Sequence, residues 1–494
     1  MPAVNLHFAL HHPYRLRRYT VFDLGQNSFY EDDDHNCDSV LYAASQCYLP
    51  LNDLLLKLIA RNGKDFKVSL SLSGVALEQL EQYAPEVIDT FKALAATGCV
   101  EFLAEPYSHS LACIYSRGEF ARQVALHSAR IKELTGKAPN VFRNTELIYN
   151  NDIAAAVEGM GFAGILADGA DHMLGWRSPN YVYTPTGCGK IKLLLNNYSL
   201  VDNVRLRFDE RAWDQWPLTA DKFAGYCKAQ GDEAAVINLF FDYDTFGLLH
   251  TAESGIFAFL EYLPEALRAA GDFRFLTMSE VLKKCPAVDE VDVPMYVPWH
   301  DRDRDLNIWL GNDMQKDAIH ALYDLQPWAE NLESEDLRQN WLRLQSAEHF
   351  AWMCTKWFNS DASAGSPLGA LRSPYASPYD AYINYMNVLA DFSLNLKAAG
   401  SPAPSVPDAA TGAATKPATR ARRTSKAADK PTEKAAPAKA TKAASAKATK
   451  ATPAKATPKV AGGRGRGAAK AATDTPAADG ASTGRRTSGR AKKA

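Results

Sequence analysis

Two stretches decide how this chain reads: Val141–Asn150, VFRNTELIYN, and Asn238–Gly247, NLFFDYDTFG. Each sets a carboxylate beside a short apolar run. Val141-Phe142 leads into Arg143-Asn144-Thr145-Glu146, and Val236-Ile237-Asn238-Leu239-Phe240-Phe241 runs straight into Asp242. A strand covered on both faces reads as a near-continuous apolar run, and in α/β barrels the chemistry collects where such strands end. Two carboxylates on two strand ends of one barrel would share one mouth. Paired carboxylates are what glycoside hydrolysis needs, one as nucleophile and the other as proton donor. Acid pairs on exposed loops are far commoner than active sites, so the surroundings of this pair must carry the argument.

Outward from the pair, strand and helix signals alternate. Val4–Leu10 reads as a first strand that Pro13 stops, which leaves His11 at its end as a candidate ligand-binding residue. Val68–Leu72, Val100–Leu103, Ala163–Ala167 and Ile191–Leu195 read as further strands, with Phe275–Thr277 as a last short one. Helices are predicted over Tyr48–Asn62, Pro85–Thr97 and Arg117–Thr135, each followed by a glycine that can cap it. Such alternation predicts a parallel α/β barrel. The acidic run Asn27–Asp38 is predicted to pass over the barrel mouth as a loop. Beyond the third strand, Glu105 and His109 offer directional hydrogen bonds of the kind sugar hydroxyls take. Asp168, Asp171 and His172 are predicted to line the mouth, and Trp176–Val182 has the composition of a sugar-stacking loop.

Pro286–Pro298 is proline-rich and reads as a linker. Helical periodicity follows over Lys316–Tyr323, Glu333–Gln345, Ala347–Phe358 and Ser377–Asn395. Between linker and helices, Trp299, Asp301, Arg302, Asp303, Asp305 and Trp309 interleave charge with tryptophan, which predicts a paired network near the site. The expected division is a barrel over 1–290, a helical domain over 291–396 and a disordered Lys/Ala/Pro-rich tail over 397–494.

Charge divides the chain at the same place. From Ser401 onward there are 21 Lys and Arg against 5 Asp and Glu, a surplus of +16, and no aromatic residue. The rest of the chain holds 34 basic and 52 acidic residues, a deficit of −18. Composition of the first kind cannot bury a core, and its natural partner is a polyanion such as nucleic acid. The eight cysteines lack the close spacing of a metal knuckle or redox pair, so free thiols in a reducing compartment are expected. The start of the chain lacks the order of a secretory signal, and no run of about 18 apolar residues occurs, so a cytoplasmic protein without a membrane partner is expected.

Five short motifs in order make the chain resemble family 57 of the glycoside hydrolases, the α-amylase-like enzymes and α-glucan transferases. They are His11-His12-Pro13, Glu101–Leu111 (EFLAEPYSHSL), Arg143–Tyr149 (RNTELIY), Asp242–Gly247 (DYDTFG) and Asp301–Gln315 (DRDRDLNIWLGNDMQ). The first departs from the family's usual His-Gln-Pro, having His12 in the middle. The resemblance implies an irregular (β/α)7 barrel followed by an α-helical domain, seven strands rather than eight. It implies the nucleophile at Glu146 and the acid/base at Asp242. It implies a substrate cleft lined by His11, Glu105, His109, Asp244, Trp299, Asp301 and Trp309, with neither metal nor cofactor. Asp244, two residues beyond Asp242, is also the rival for the acid role. The implied activity is retaining hydrolysis of an α-1,4-glucan, as in an α-amylase. 4-α-Glucanotransferase and glucan-branching chemistry stand as alternatives on the same fold. Two rivals of other classes are a metal-dependent polysaccharide deacetylase, with His11, His12 and Asp168 or His172 as ligands, and a non-catalytic protein that uses its basic tail on nucleic acid.

Overall fold

The apolar runs form strands because both their faces are covered. Every residue of β1 (Ala3–Leu10), β2 (Val68–Leu72) and β5 (Gly164–Asp168) is buried in the computed structural model. The structure describes residues 2–231, 233–300, 303–330, 332–356 and 373–400. The predicted tail from residue 401 on and Asp301 therefore lie outside the described residues, whereas Lys397–Ala399, expected to begin that tail, instead end the helix Pro378–Ala399.

The strands close into a ring. β1 pairs with β2, and β2 with β3 (Val100–Phe102). Ala104, just past β3, pairs with Phe142 of β4 (Val141–Phe142), and β4 with β5. β5 pairs with β7 (Lys192–Asn196), which meets β8 (Val236–Asp242) where Asn196 faces Asn238. β8 returns to β1 over Ala3–Ala9. All these pairings are parallel, so seven strands make the barrel. Its irregularity sits at the end away from the carboxylates. There β6 (Val182–Pro185) lies antiparallel on β7. β9 (Arg274–Phe275) joins β1 at Ala3 and Val4, below the point where β2 begins to pair. The predicted last strand thus stays outside the ring.

Two expectations need correction. Pro286–Pro298 is not simply a linker: its first part is strand β10 (Ala287–Val291), parallel to β6. β10 ends the strand order and keeps Asp289 and Glu290 exposed, and charge on an edge strand both protects it and hides it from pattern reading. The acidic run Asn27–Asp38 is not all loop. Asp32 caps a helix by accepting from the His35 amide, and Asp33 and Asp34 occupy the first turn, where negative charge is favourable. That helix, Asp33–Ala43, continues through a π-helical turn at Ala44–Tyr48 into the helix Leu49–Asn62.

Helices Asp313–Tyr323, Glu335–Leu344, Ala347–Ala351 and Pro378–Ala399 share one apolar cluster with β4, β5 and β7, in which Phe142, Ile165 and Leu193 join Trp341, Phe350 and Phe392. Arg343 pins this layer to the barrel side: its Nε donates to Glu78 at 3.1 Å, and its guanidinium lies 4.3 Å from the Tyr14 ring centre. No disulfide links the eight cysteines among the described residues. No helix among the described residues is long and apolar enough to cross a membrane.

Candidate active site

Glu146 follows β4 on a backbone with φ 52°, and Leu147 has φ 51°. Non-glycine residues adopt the left-handed region only at some cost, and they cluster where function over-determines the backbone. The turn aims the carboxylate into the ring. Its Oε1 accepts from His109 Nε2 at 3.1 Å, and its Oε2 accepts from Trp299 Nε1 at 2.8 Å and from His300 Nδ1. Burial works against a charge there, but His300 and His109 outweigh it and hold Glu146 well below the usual carboxylate range.

Asp242, at the end of β8, has the opposite setting. Burial raises its carboxyl, Arg205 at 3.6 Å lowers it, and the charge of Glu146 raises it again, leaving it above the ordinary aspartate value. Its side chain keeps 30 % of its surface exposed. Asp244, two residues on, is pushed up to about 7 by burial and by the charge of Asp242, against the pull of Arg15. The loop ends at Gly247, where φ is 118° and a Cβ would lie 2.1 Å from the Gln46 carbonyl oxygen. Only glycine lets it close against the π-helical turn.

A third carboxylate comes from far along the chain. Glu348, buried in the short helix Ala347–Ala351, binds His11 Nε2 at 2.9 Å, while His11 Nδ1 meets Ser73 Oγ at 2.7 Å. The His11 and His109 rings stack with centres 4.1 Å apart. Burial alone would lower the basicity of His109, but Glu105 at 3.7 Å, its hydrogen bond to Glu146 and the charge of Glu348 raise it to about 10. Glu105 in turn lies 3.5 Å from Arg143. The site thus balances Glu105, Glu146 and Glu348 against His109, Arg143 and Arg205, with Asp242 beside Arg205 at its edge.

The structure therefore brings together His11, Glu105, His109, Glu146, Asp242 and Trp299, with Asp244 beside Asp242. Trp309 is 1 % exposed and packs edge-on to His300 behind the cleft. His12 turns away toward Tyr48 and Ser39, buttressing the helix that carries the π-helical turn. Asp168 is held by Arg304 and Asn196, and His172 stands exposed on a separate short helix. His11, His12, Asp168 and His172 thus sit in different neighbourhoods and cannot share one ion as the deacetylase reading requires. The described trio close enough to hold a metal is His109, Glu146 and Glu348, whose charges already satisfy one another. Sequence reading missed Glu348, Arg205 and His300. Only His300 carried a signal, as the neighbour of Trp299; Glu348 and Arg205 look like ordinary helix residues.

A closed seven-stranded parallel barrel, with two carboxylates of opposite character at its C-terminal mouth, is the layout of a glycoside hydrolase. The chain belongs to glycosyl hydrolase family 57, whose model matches residues 5–294. It is 36 % identical over 411 residues to a Methanocaldococcus jannaschii protein described as "Putative alpha-amylase", covering 80 % of this chain and 85 % of that one. The fold resembles that of a GH57 branching enzyme from Thermococcus kodakaraensis, with TM-score 0.54 and 12 % identity over 72 % of this chain and 86 % of that one. It also resembles that of the α-amylase AmyC from Thermotoga maritima, with TM-score 0.51 and 12 % identity over 81 % and 96 %.

Proposed function

We propose that this family member is a retaining, α-amylase-type hydrolase of α-1,4-glucans that works through a covalent glycosyl-enzyme. The observation that carries this reading is the unlike setting of its two carboxylates: Glu146 accepts from His109, Trp299 and His300, whereas Asp242 meets only the Arg205 guanidinium at 3.6 Å among the ion pairs described.

Glu146 attacks the anomeric carbon. A carboxylate has about four lone-pair positions. Those of Oε2 are taken by Trp299 and His300, and one on Oε1 by His109, which leaves one on Oε1 for attack. Asp242 protonates the departing oxygen and then activates water. A retaining pair places its carboxyl groups about 5 to 5.5 Å apart. His11, Glu105, His109, Asp244 and Trp299 surround the reacting sugar, while Trp309 backs His300. The surplus of +16 beyond Ser401 binds polyanions by releasing their counterions. Eight cysteines without a disulfide among the described residues suit a reducing cytoplasm.

Incubation with maltoheptaose tests the activity. Only shorter products, released first as the α anomer by NMR, support the proposal. Longer products mean that a sugar hydroxyl replaces water, as in a 4-α-glucanotransferase, and β-configured product overturns retention.

A further inference from the structure

An arginine and a histidine join the two carboxylates. Arg205 ends the helix Tyr198–Arg205, and its carbonyl oxygen accepts from His250 Nε2 at 3.0 Å, which anchors that helix end. Its guanidinium lies 4.8 Å from the Trp299 ring centre, and one N–H donates to His300 Nε2 at 2.7 Å. Arginine offers donors and no acceptor. His300 Nε2 must therefore present its lone pair to Arg205, and the ring proton must sit on Nδ1, which faces Glu146. The same guanidinium is 3.6 Å from Asp242.

We propose that Arg205 and His300 are positioning residues that couple the two catalytic carboxylates: Arg205 fixes the Nδ1–H tautomer of His300 that donates to Glu146, and the same cation neighbours Asp242. The proposal rests on the assignment of Glu146 and Asp242 above. Other charged groups also face the unit. His109 bonds Glu146 from the far side, Arg143 acts on Asp242, and Asp202 lies one turn before Arg205. None of them touches both carboxylates. The two links act in different directions. Losing the His300 donor makes Glu146 easier to protonate, whereas losing the Arg205 charge makes Asp242 harder to ionise.

The side-chain amide nitrogen of asparagine overlays histidine Nδ1, and that of glutamine overlays Nε2. His300→Asn therefore keeps a donor toward Glu146, and His300→Gln loses it. On the pH profile of kcat/KM with a nitrophenyl maltooligosaccharide, His300→Gln is expected to raise the acidic limb by about one unit, with His300→Asn returning toward wild type. Arg205→Met is expected to raise the basic limb by about one unit, with Arg205→Lys restoring it. Variants that lower kcat with both limbs unmoved would show a structural role only and overturn the proposal. A readout free of turnover guards against variants that fail to fold. In ¹⁵N-histidine NMR of the wild-type protein, assigned against His300→Asn, His300 is expected to show a protonated Nδ1 and a bare Nε2. The reverse tautomer refutes the coupling even if activity is normal. If instead azide fails to rescue Asp242→Asn while the tautomer is as expected, the acid assignment falls and the Arg205–His300–Glu146 link stands.

Discussion

The ends of β4 and β8 carry the same functional group and treat it in opposite ways. At β4, a left-handed turn presents Glu146 to donors from His109, Trp299 and His300. At β8, Asp242 continues an extended strand, meets one guanidinium and opens onto the mouth. Burial raises both carboxyls; the donors around Glu146 outweigh that rise, and the single guanidinium beside Asp242 does not. On the proposed mechanism, two acids would become a nucleophile and a proton donor through their neighbours, with no difference needed in the acids themselves.

The largest break in this contrast comes from removing either carboxylate. Glu146→Gln should cost on the order of 10⁴-fold or more in kcat/KM for every substrate, since no covalent intermediate can form. Asp242→Asn should cost about 10²- to 10⁴-fold with a poor leaving group. It should keep its first step with a glycosyl fluoride, which departs unprotonated, and stall as the glycosyl-enzyme. Azide should then restore turnover with α-configured product in the Asp242 variant alone. Equal losses on glycosyl fluoride in both variants would show that the two ends do not differ in role.

The pH dependence sharpens the same contrast. Activity should need ionised Glu146, held low by His300 and His109, and protonated Asp242, held high by burial and Glu146. The profile of kcat/KM should therefore be a bell, its acidic limb below the usual carboxylate range and its basic limb above it. His109→Gln removes the cation between Glu105, Glu146 and Glu348. Its acidic limb should rise by about one unit, and kcat should fall about tenfold or more. An unmoved acidic limb would show that His109 does not hold the charge of Glu146.

How legible these features were depends on how local their causes are. The strands were readable because burial on both faces writes a continuous apolar word, as at Val4–Leu10 and Val236–Phe241. Glu146 and Asp242 were readable because each adjoins such a word. Edge strand β10 was not, because solvent on one side allowed Asp289 and Glu290 into it. Glu348 was not readable either: 337 residues separate it from His11, and a buried helical glutamate shows its purpose only once the helix is docked. The contrast in protonation was out of reach for the same reason, since Arg205 and His300 are distant in sequence and adjacent only in the barrel mouth.

The helical layer offers a smaller test, on stability. Glu348 is buried against His11 and His109, so Glu348→Leu leaves their side uncompensated and should cost about 3 to 5 kcal/mol by urea unfolding. The sign of the pH dependence follows from His109. Its folded pKa of about 10 lies above the ordinary 6.5, so its contribution is full below about pH 6.5 and is lost as pH rises through 10. Stability should therefore decline between these values in the wild type and decline less in His109→Gln.

The smallest expected effect belongs to Asp244. It sits in the 3-10 turn just past Asp242 and is pushed up to about 7, so it could also hold a proton at neutral pH. Its position differs in one respect: Arg205 and Glu146 act directly on Asp242, whereas Asp244 answers chiefly to burial, Asp242 and Arg15. Asp244→Asn should therefore change kcat by less than about tenfold, raise KM through a lost hydrogen bond worth about 1 kcal/mol, and gain nothing from azide. Removing its charge should also make Asp242 easier to ionise above pH 7 and move the basic limb slightly down. If azide instead rescues Asp244→Asn, and Asp242→Asn behaves like the wild type, the proton donor is Asp244. The partnership of Arg205 with Asp242 would then be a structural ion pair.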